Sequence, residues 1–320
     1  MGNAVLLKPA EQTPLTALAL AEIARDAGLP SGALAVLPGF GPSAGEAIVD
    51  HPSIGMVSFT GSTEVGQRIA ARAALTMKKL SLELGGKSPN LVFADADIDR
   101  ATSAALFSFC VNQGQLCSAG TRLLVESATY DDTLAALKAK AEALRIGDPT
   151  DPETQLGALI SADQLERVEG YVEAGQEDGG QLVTGGRRAE VEGRDGWFYV
   201  PTIFGDVSPS ARIAQEEIFG PVLAVLKFGD EGEAIALANR VIYGLAAGVW
   251  TRDVARAHRM ASAVDAGLVY VNTMNVLFAG SPYSGWKQSG VGVEGGFEQA
   301  ESFTRLKSVW INLTDDVPTL

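Results

Sequence analysis

Short continuous apolar runs alternate along this chain with longer stretches in which apolar positions recur every three or four residues. "NAVLLKP" reads as a buried strand closed by Pro9. "TPLTALALAEIARDAGLP" reads as a helix capped by Thr13, with Pro14 at its first position and a stop at Gly28. "ALAVLPG" is a second strand and "GPSAGEAIVDH" a short helix. "IGMVSFTGS" is a third strand, "STEVGQRIAARAAL" a helix and "KKLSLELGG" a fourth strand. Strand and helix in this rhythm imply βαβ units and a parallel sheet.

The rhythm continues after Gly86. "NLVFADAD" is a strand, and "DIDRATSAALFSFCVNQG" a helix that delivers both cysteines of the chain. "TRLLVES" is a strand. "YDDTLAALKAKAEAL" and "SADQLERVEGYVEAGQEDG" read as exposed helices, and "GGRRAEVEGRDG" as a charged surface hairpin. "EEIFGPVLAVLKF" is a strand entered through a turn, "DEGEAIALANRV" a helix, and "GLVYVN" a last buried strand. Neither an internal repeat nor a low-complexity segment stands out.

Length and charge narrow the class. A chain of 320 residues suggests two domains or one large α/β unit. Glycine is abundant at 36 residues, in keeping with many tight strand-to-helix turns. The net charge of −14 is spread along the chain, which argues against a nucleic-acid or anionic-membrane surface. No run reaches the ~20 apolar residues of a membrane span, and the first residues do not read as a signal peptide. Two cysteines seven apart form neither a disulfide framework nor a metal site, so a cytoplasmic location and no metal are expected.

Three segments carry candidate chemistry. In "VSFTGSTEVG" a strand turns through Gly61 into a helix near Ser62, and helix N-termini favour phosphate. It is not a P-loop, because Gln67 and Arg68 stand where Lys and Ser/Thr belong. An ordinary βα turn reads equally well. In "LSLELGGKSP", Glu83 ends an apolar strand. Strand C-terminal ends face the ligand crevice of a doubly wound sheet, so Glu83 is either a base with a raised pKa or a salt-bridged, capping carboxylate. In "GQLCSAG", Cys117 sits among small residues that leave room for a substrate and backbone donors. Cys110 lies between Phe109 and Val111 and reads as core filler. His51 and His258 have no partner spacing that suggests a site, so a carboxylate is the better candidate base for Cys117.

Taken in order, "KPAEQTP", "FTGSTEVG", "LELGGKSPNLVFADAD", "NQGQLC", "QEEIFGPV" and "SPYSGWKQSGVG" closely resemble the aldehyde dehydrogenase superfamily over nearly the whole chain. The resemblance implies an α/β fold with a partial Rossmann-type cofactor domain and an α/β catalytic domain. The expected division is 1–86, with a return segment at about 289–303, for the cofactor; 87–288 for the nucleophile; and 304–320 as an oligomerisation strand. It further implies oxidation of an aldehyde to a carboxylic acid with NAD in preference to NADP. Cys117 corresponds to the nucleophile and Glu83 to the general base. Lys8 and Glu11 resemble the pair that holds the adenosine ribose. Gly61, Ser62, Val65 and Gly66, with Leu84, resemble cofactor contacts, and Glu217 and Phe219 the contacts to the nicotinamide ribose. Phe109, Leu116, Met274, Val276, Leu277 and Phe278 are the expected aldehyde lining, and a small aldehyde the expected partner.

The chain also departs from the family pattern. It starts part-way into it, without the first βα unit, a long hairpin used in oligomer contacts, or the Pro-Trp-Asn stretch whose asparagine donates to the oxyanion. Loss of one such donor costs about 10²–10³ in rate, and loss of a central first strand leaves an unpaired edge. "SPYSGWKQSG" replaces the commoner "PFGG" form. The expectations therefore run from an active enzyme, as a homo-oligomer or completed by an N-terminal segment, to an impaired remnant or assembly subunit, to an esterase using Cys117 and Glu83 alone.

Overall fold

The computed structural model describes residues 1–314. From the N-terminus run β1 (Val5–Leu7), α1 (Leu15–Asp26), β2 (Leu34–Val36), α2 (Glu46–Asp50), β3 (Met56–Thr60), α3 (Thr63–Ala74) and β4 (Lys79–Glu83). There follow β5 (Pro89–Val92), α4 (Ile98–Cys110), β6 (Arg122–Glu126), α5 (Tyr130–Glu142), α6 (Ala162–Glu177), β7 (Gln181–Thr184), β8 (Thr202–Gly205), α7 (Arg212–Gln215), β9 (Val222–Phe228) and α8 (Glu231–Asn239). The last elements are β10 (Tyr243–Gly244), β11 (Ala246–Trp250), α9 (Val254–Ala263), β12 (Leu268–Val271), β13 (Trp286–Lys287), β14 (Gly290–Val291) and α10 (Gln299–Ser302).

A seven-stranded sheet, in the order β12-β11-β5-β6-β9-β8-β7, forms the centre of the molecule. All its pairings are parallel except that of β7 with β8. Side chains alternate between its faces, as strand geometry requires. On β6, Leu123 and Val125 pack toward α4 and α5, while Leu124 packs toward α8 and α9. On β9, Val222, Ala224 and Leu226 meet the α6 and α7 cluster. Both faces are dry, which is why these strands read as unbroken apolar runs.

The N-terminal lobe is built differently. β1 and β2 form a two-stranded parallel sheet. β3 and β4 pair in parallel, and the late strand β14 adds to β4 antiparallel. Arg68 and Arg72 on α3 pair with Glu46 and Asp50 on α2, tying the two parts of the lobe together.

Several expectations need correction. β1 is not buried: Val5 and Leu6 are 47% and 43% exposed, because the strand has one neighbour and little cover. Pro14, not Thr13, caps α1, without a side-chain hydrogen bond, though the stop at Gly28 stands. α5 and α6 are not exposed helices. Their charged faces hide stripes of Tyr130, Leu137 and Ala141, and of Leu165, Val168 and Val172, at helical spacing in the core. β12 is a half-buried edge strand rather than a buried one. Of the expected C-terminal oligomerisation strand, residues 304–314 are exposed and form no strand in this chain, and 315–320 lie outside the described residues. Among the described residues no helix is long and apolar enough to cross a membrane.

Candidate active site

α4 carries Cys110 into the core beneath the large sheet and stops there. Three consecutive residues, Asn112, Gln113 and Gly114, then take left-handed conformations with φ of 51°, 57° and 71°. The reversal is locked by two local bonds. Asn112 Nδ2 donates to the Gln115 carbonyl at 2.9 Å, and Gln115 Nε2 to the Asn112 carbonyl at 3.3 Å. Gly114 is required twice over, since a Cβ there would also sit 2.3 Å from the Gly220 carbonyl oxygen. The result takes Cys117 out of the helix register and leaves it half-buried, while Cys110 stays buried.

The paired glycines after Glu83 let three segments interlock. A Cβ on Gly85 would meet a Glu217 carboxylate oxygen at 2.4 Å, and one on Gly86 the Cys117 carbonyl oxygen at 2.3 Å. The Gly86 N–H donates to Glu217 Oε1 at 3.1 Å. So "LELGGK", "QEEIFGP" and "GQLC", far apart in sequence, meet here at backbone-contact distance. Ser289 clips the arrangement: its hydroxyl donates to the Gly85 carbonyl and accepts from the Gly244 N–H.

Glu83 is 3% exposed, and neither of its carboxyl oxygens has a hydrogen-bond partner. Burial, helped by the negative charge of Glu294, pushes its pKa up to about 8, and the nearby Gly285 N–H offsets only part of this. The neutral acid therefore dominates at pH 7. Burial raises the Cys117 thiol as well. The Tyr283 hydroxyl and the Ser118 N–H pull it down, and the Glu217 and Glu83 carboxylates push it up. Burial raises Glu217, against the pull of the Gly86 N–H, Lys87 and Arg167. His51 and His258 are both exposed and make no bond to Cys117.

Lys8, Glu11, Gly61, Ser62 and Leu84 fall after the carboxyl ends of parallel strands, Val65 and Gly66 lie in the first turn of α3, and Glu217 and Phe219 lie on the loop that enters β9. Lys8 follows β1, and its Nζ donates to the Pro9 and Gly39 carbonyls at 2.7 and 2.8 Å, with Glu11 3.6 Å away. Gly61 and Ser62 follow β3. Ser62 caps α3, its hydroxyl accepting from the Val65 N–H, and Gly66 packs directly on Leu84. Phe219 has φ of 62°, and its loop is pinned by Gln164 and Arg167, which donate to the carbonyls of Ile218, Phe219 and Glu217. Of the expected aldehyde lining, Phe109 is wrong: it is wholly buried among Leu123, Leu137 and Leu156. Met274 is also buried, whereas Val276, Leu277 and Phe278 are exposed. Sequence reasoning missed Tyr283, Glu294, Gln164, Arg167 and Ser289. Each acts across a long separation that no local pattern announces.

Among the described residues no cluster of three or more His, Cys, Asp or Glu could hold a metal. The site thus brings a half-buried thiol and a buried carboxyl, uncharged at pH 7, near the end of β4 and the first residue of α3. A thiol and a carboxyl so placed could do nucleophilic chemistry without a histidine.

Comparison with known proteins gives the family. The profile of the aldehyde dehydrogenase family matches residues 1–309. A betaine aldehyde dehydrogenase of Mesorhizobium japonicum is 45% identical over 316 residues, covering 98% of this chain and 65% of that protein. An aldehyde dehydrogenase of Emericella nidulans is 46% identical over 315 residues, covering 98% and 63%. Among solved structures, an NAD⁺ complex of the Bacillus cereus aldehyde dehydrogenase matches with a TM-score of 0.95 at 44% identity, covering 97% of this chain and 63% of that one. HpcC from Thermus thermophilus matches with a TM-score of 0.96 at 46% identity, covering 100% and 63%. The chain belongs to the aldehyde dehydrogenase family, with that family's α/β fold, and spans about 63% of the length of such relatives.

Proposed function

We propose that this chain carries the nucleophile and the general base of an NAD-dependent oxidation of an aldehyde to a carboxylic acid. The observation that supports this most is the meeting of the Glu83, Glu217 and Cys117 segments across Gly85 and Gly86. Cys117 as thiolate adds to the aldehyde carbon, giving a thiohemiacetal. Its collapse leaves a thioester on Cys117. Glu83, once deprotonated, takes a proton from water, and the resulting hydroxide attacks the thioester carbonyl and releases the acid. Bound NAD supplies the hydride acceptor between these two stages.

The residues fit that cofactor. Glu11, 41% exposed at its side chain, is free to accept from a ribose hydroxyl and repels a 2′-phosphate, which favours NAD over NADP. The first-turn N–H groups of α3 suit a pyrophosphate. Glu217 and Phe219 stand on the loop nearest Gly85 for the nicotinamide ribose. In this reading residues 1–86 with about 289–303 serve the cofactor, and 87–288 the chemistry. The exposed apolar tail (Leu306, Trp310 and Ile311) suits contact with a second copy of the chain.

The test is NADH formation with a panel of aldehydes. Cys117→Ala abolishes it. Glu83→Gln keeps a first-turnover burst and slows steady turnover by about 10²–10⁴. NADH formation that survives Cys117→Ala refutes the nucleophile assignment. Cys117-dependent ester hydrolysis without NADH formation supports an esterase instead, which the sparsely covered N-terminal lobe leaves open.

A further inference from the structure

Cys117 has no histidine to activate it, and its surroundings oppose ionisation. Burial opposes the thiolate most, the Glu217 carboxylate acts in the same direction, and Glu83 adds to it once ionised. The Ser118 backbone N–H is one favourable group. The other is the hydroxyl of Tyr283, whose oxygen lies 3.8 Å from Cys117 Sγ, within hydrogen-bond reach of a sulfur.

Tyr283 is held there by design of the backbone. It forms an isolated antiparallel bridge with Glu294, and each N–H donates to the other's carbonyl, at 2.7 and 2.8 Å. Residues opposed in such a pair project to the same face. The bridge sets the Tyr283 ring, whose hydroxyl reaches Cys117, while the Glu294 carboxylate accepts from the Ser58 hydroxyl at 3.3 Å and lies near enough to Glu83 to raise its pKa. The bridge segment is anchored next to the Ser289 clip and β14, so the phenol is fixed by main chain rather than by a mobile loop tip.

We propose that the Tyr283 hydroxyl donates a hydrogen bond to the Cys117 thiolate and takes the place of the missing histidine cation in holding it ionised. The inference rests on Cys117 being the nucleophile, but it concerns the thiolate itself and not turnover. A neutral phenol suits the task. It is a donor that burial keeps protonated, since burial and the neighbouring Cys117 raise its pKa far above neutrality. Ser118 is also within its reach, and Glu83 is the other titratable group that faces it. The hydroxyl adds no positive charge that would compete with the oxidised nicotinamide ring for its place beside Cys117.

The test is the pH dependence of iodoacetamide alkylation, read by mass at Cys117 in the full chain, with Cys117→Ala as the blank. Buried Cys110 serves as the internal unreactive control. Tyr283→Phe keeps the ring and removes the donor. A hydrogen bond to a charged group corresponds to about one pH unit or more. The alkylation midpoint therefore moves up by about one unit, and labelling at pH 7 slows roughly tenfold. Replacing Tyr283 by 3-fluorotyrosine, a more acidic donor of nearly the same shape, moves the midpoint down. Midpoints unchanged in both variants overturn the proposal, even if NADH formation depends on Cys117 as expected. Loss of NADH formation in Tyr283→Phe without a shifted midpoint also overturns it, because the phenol then acts on something other than the thiolate.

Discussion

The seven-stranded sheet and the N-terminal lobe are written in the same alternation of apolar strand and amphipathic helix, yet they end in opposite physical states. On the large sheet, Leu91, Leu123, Leu124 and Val225 are wholly buried. In the lobe, α1 buries no residue, and Leu15 and Ile23 are 76% and 65% exposed. Local propensity is similar in the two regions. The difference lies in cover: the large sheet has helices on both faces, while β1 and β2 are three residues each and have only each other. An apolar run specifies a strand, but it stabilises the fold only where other elements remove that strand from water.

This contrast can be broken by mutation. The largest effect is expected for Leu124→Ala, which opens a cavity between β6 and the α8–α9 layer and costs about 2–5 kcal/mol of unfolding free energy in urea. A smaller effect, with a definite sign, is expected at the junction of the two regions. The folded pKa of Glu83 is raised to about 8 from 4.5, so the native state binds a proton that the unfolded state releases. Its contribution is complete below pH ~4.5 and is lost as pH rises through about 8. Glu83→Gln, which cannot ionise, is therefore more stable than the parent at pH 8 by about 1–2 kcal/mol, after allowing for water near the site, and the gap closes at pH 4. Thermal melts across that range measure it, and a gap that widens toward acid refutes the assignment. The smallest effect is Ile23→Ser on α1, within about 0.5 kcal/mol. A loss there as large as that of Leu124→Ala would show that the lobe is covered in solution, and the contrast would fail.

The same contrast explains what could be read from the chain. β6 and β9 are apolar runs closed by charge or Gly, and β4 alternates Leu with polar residues before the paired glycines, so their existence and order are legible. β11 is "AAGVW", too small and Gly-broken to stand out, though it lies inside the sheet. β7 and β8 are four residues each beside a charged hairpin, and they too escape notice. α5 and α6 mislead because their charged faces outnumber the apolar stripe. Phe109 misleads because nearness to Cys117 in sequence crosses the left-handed reversal at Asn112–Gly114, which separates core face from site. Cys117 and Glu83 are visible through their neighbours. Tyr283 and Glu294 are not, since their aim comes from a bridge and not from their own segment.

The Ser289 clip has a kinetic corollary. Its bond to the Gly85 carbonyl spans 204 residues of sequence, and the adjacent β14 pairs with the very residue, Glu83, that carries the carboxyl. A contact of that range closes late, because its loop entropy must be met before any reward arrives. On a ribosome adding ~5–20 residues per second, Gly85 waits roughly 10–40 s for its partner to emerge. Through that interval the large sheet can assemble while the Glu83 strand lacks its third neighbour. Cys117 then lacks the Tyr283 hydroxyl, which arrives in the same late segment, so the nascent chain holds the thiol without its donor until the Ser289 clip can close.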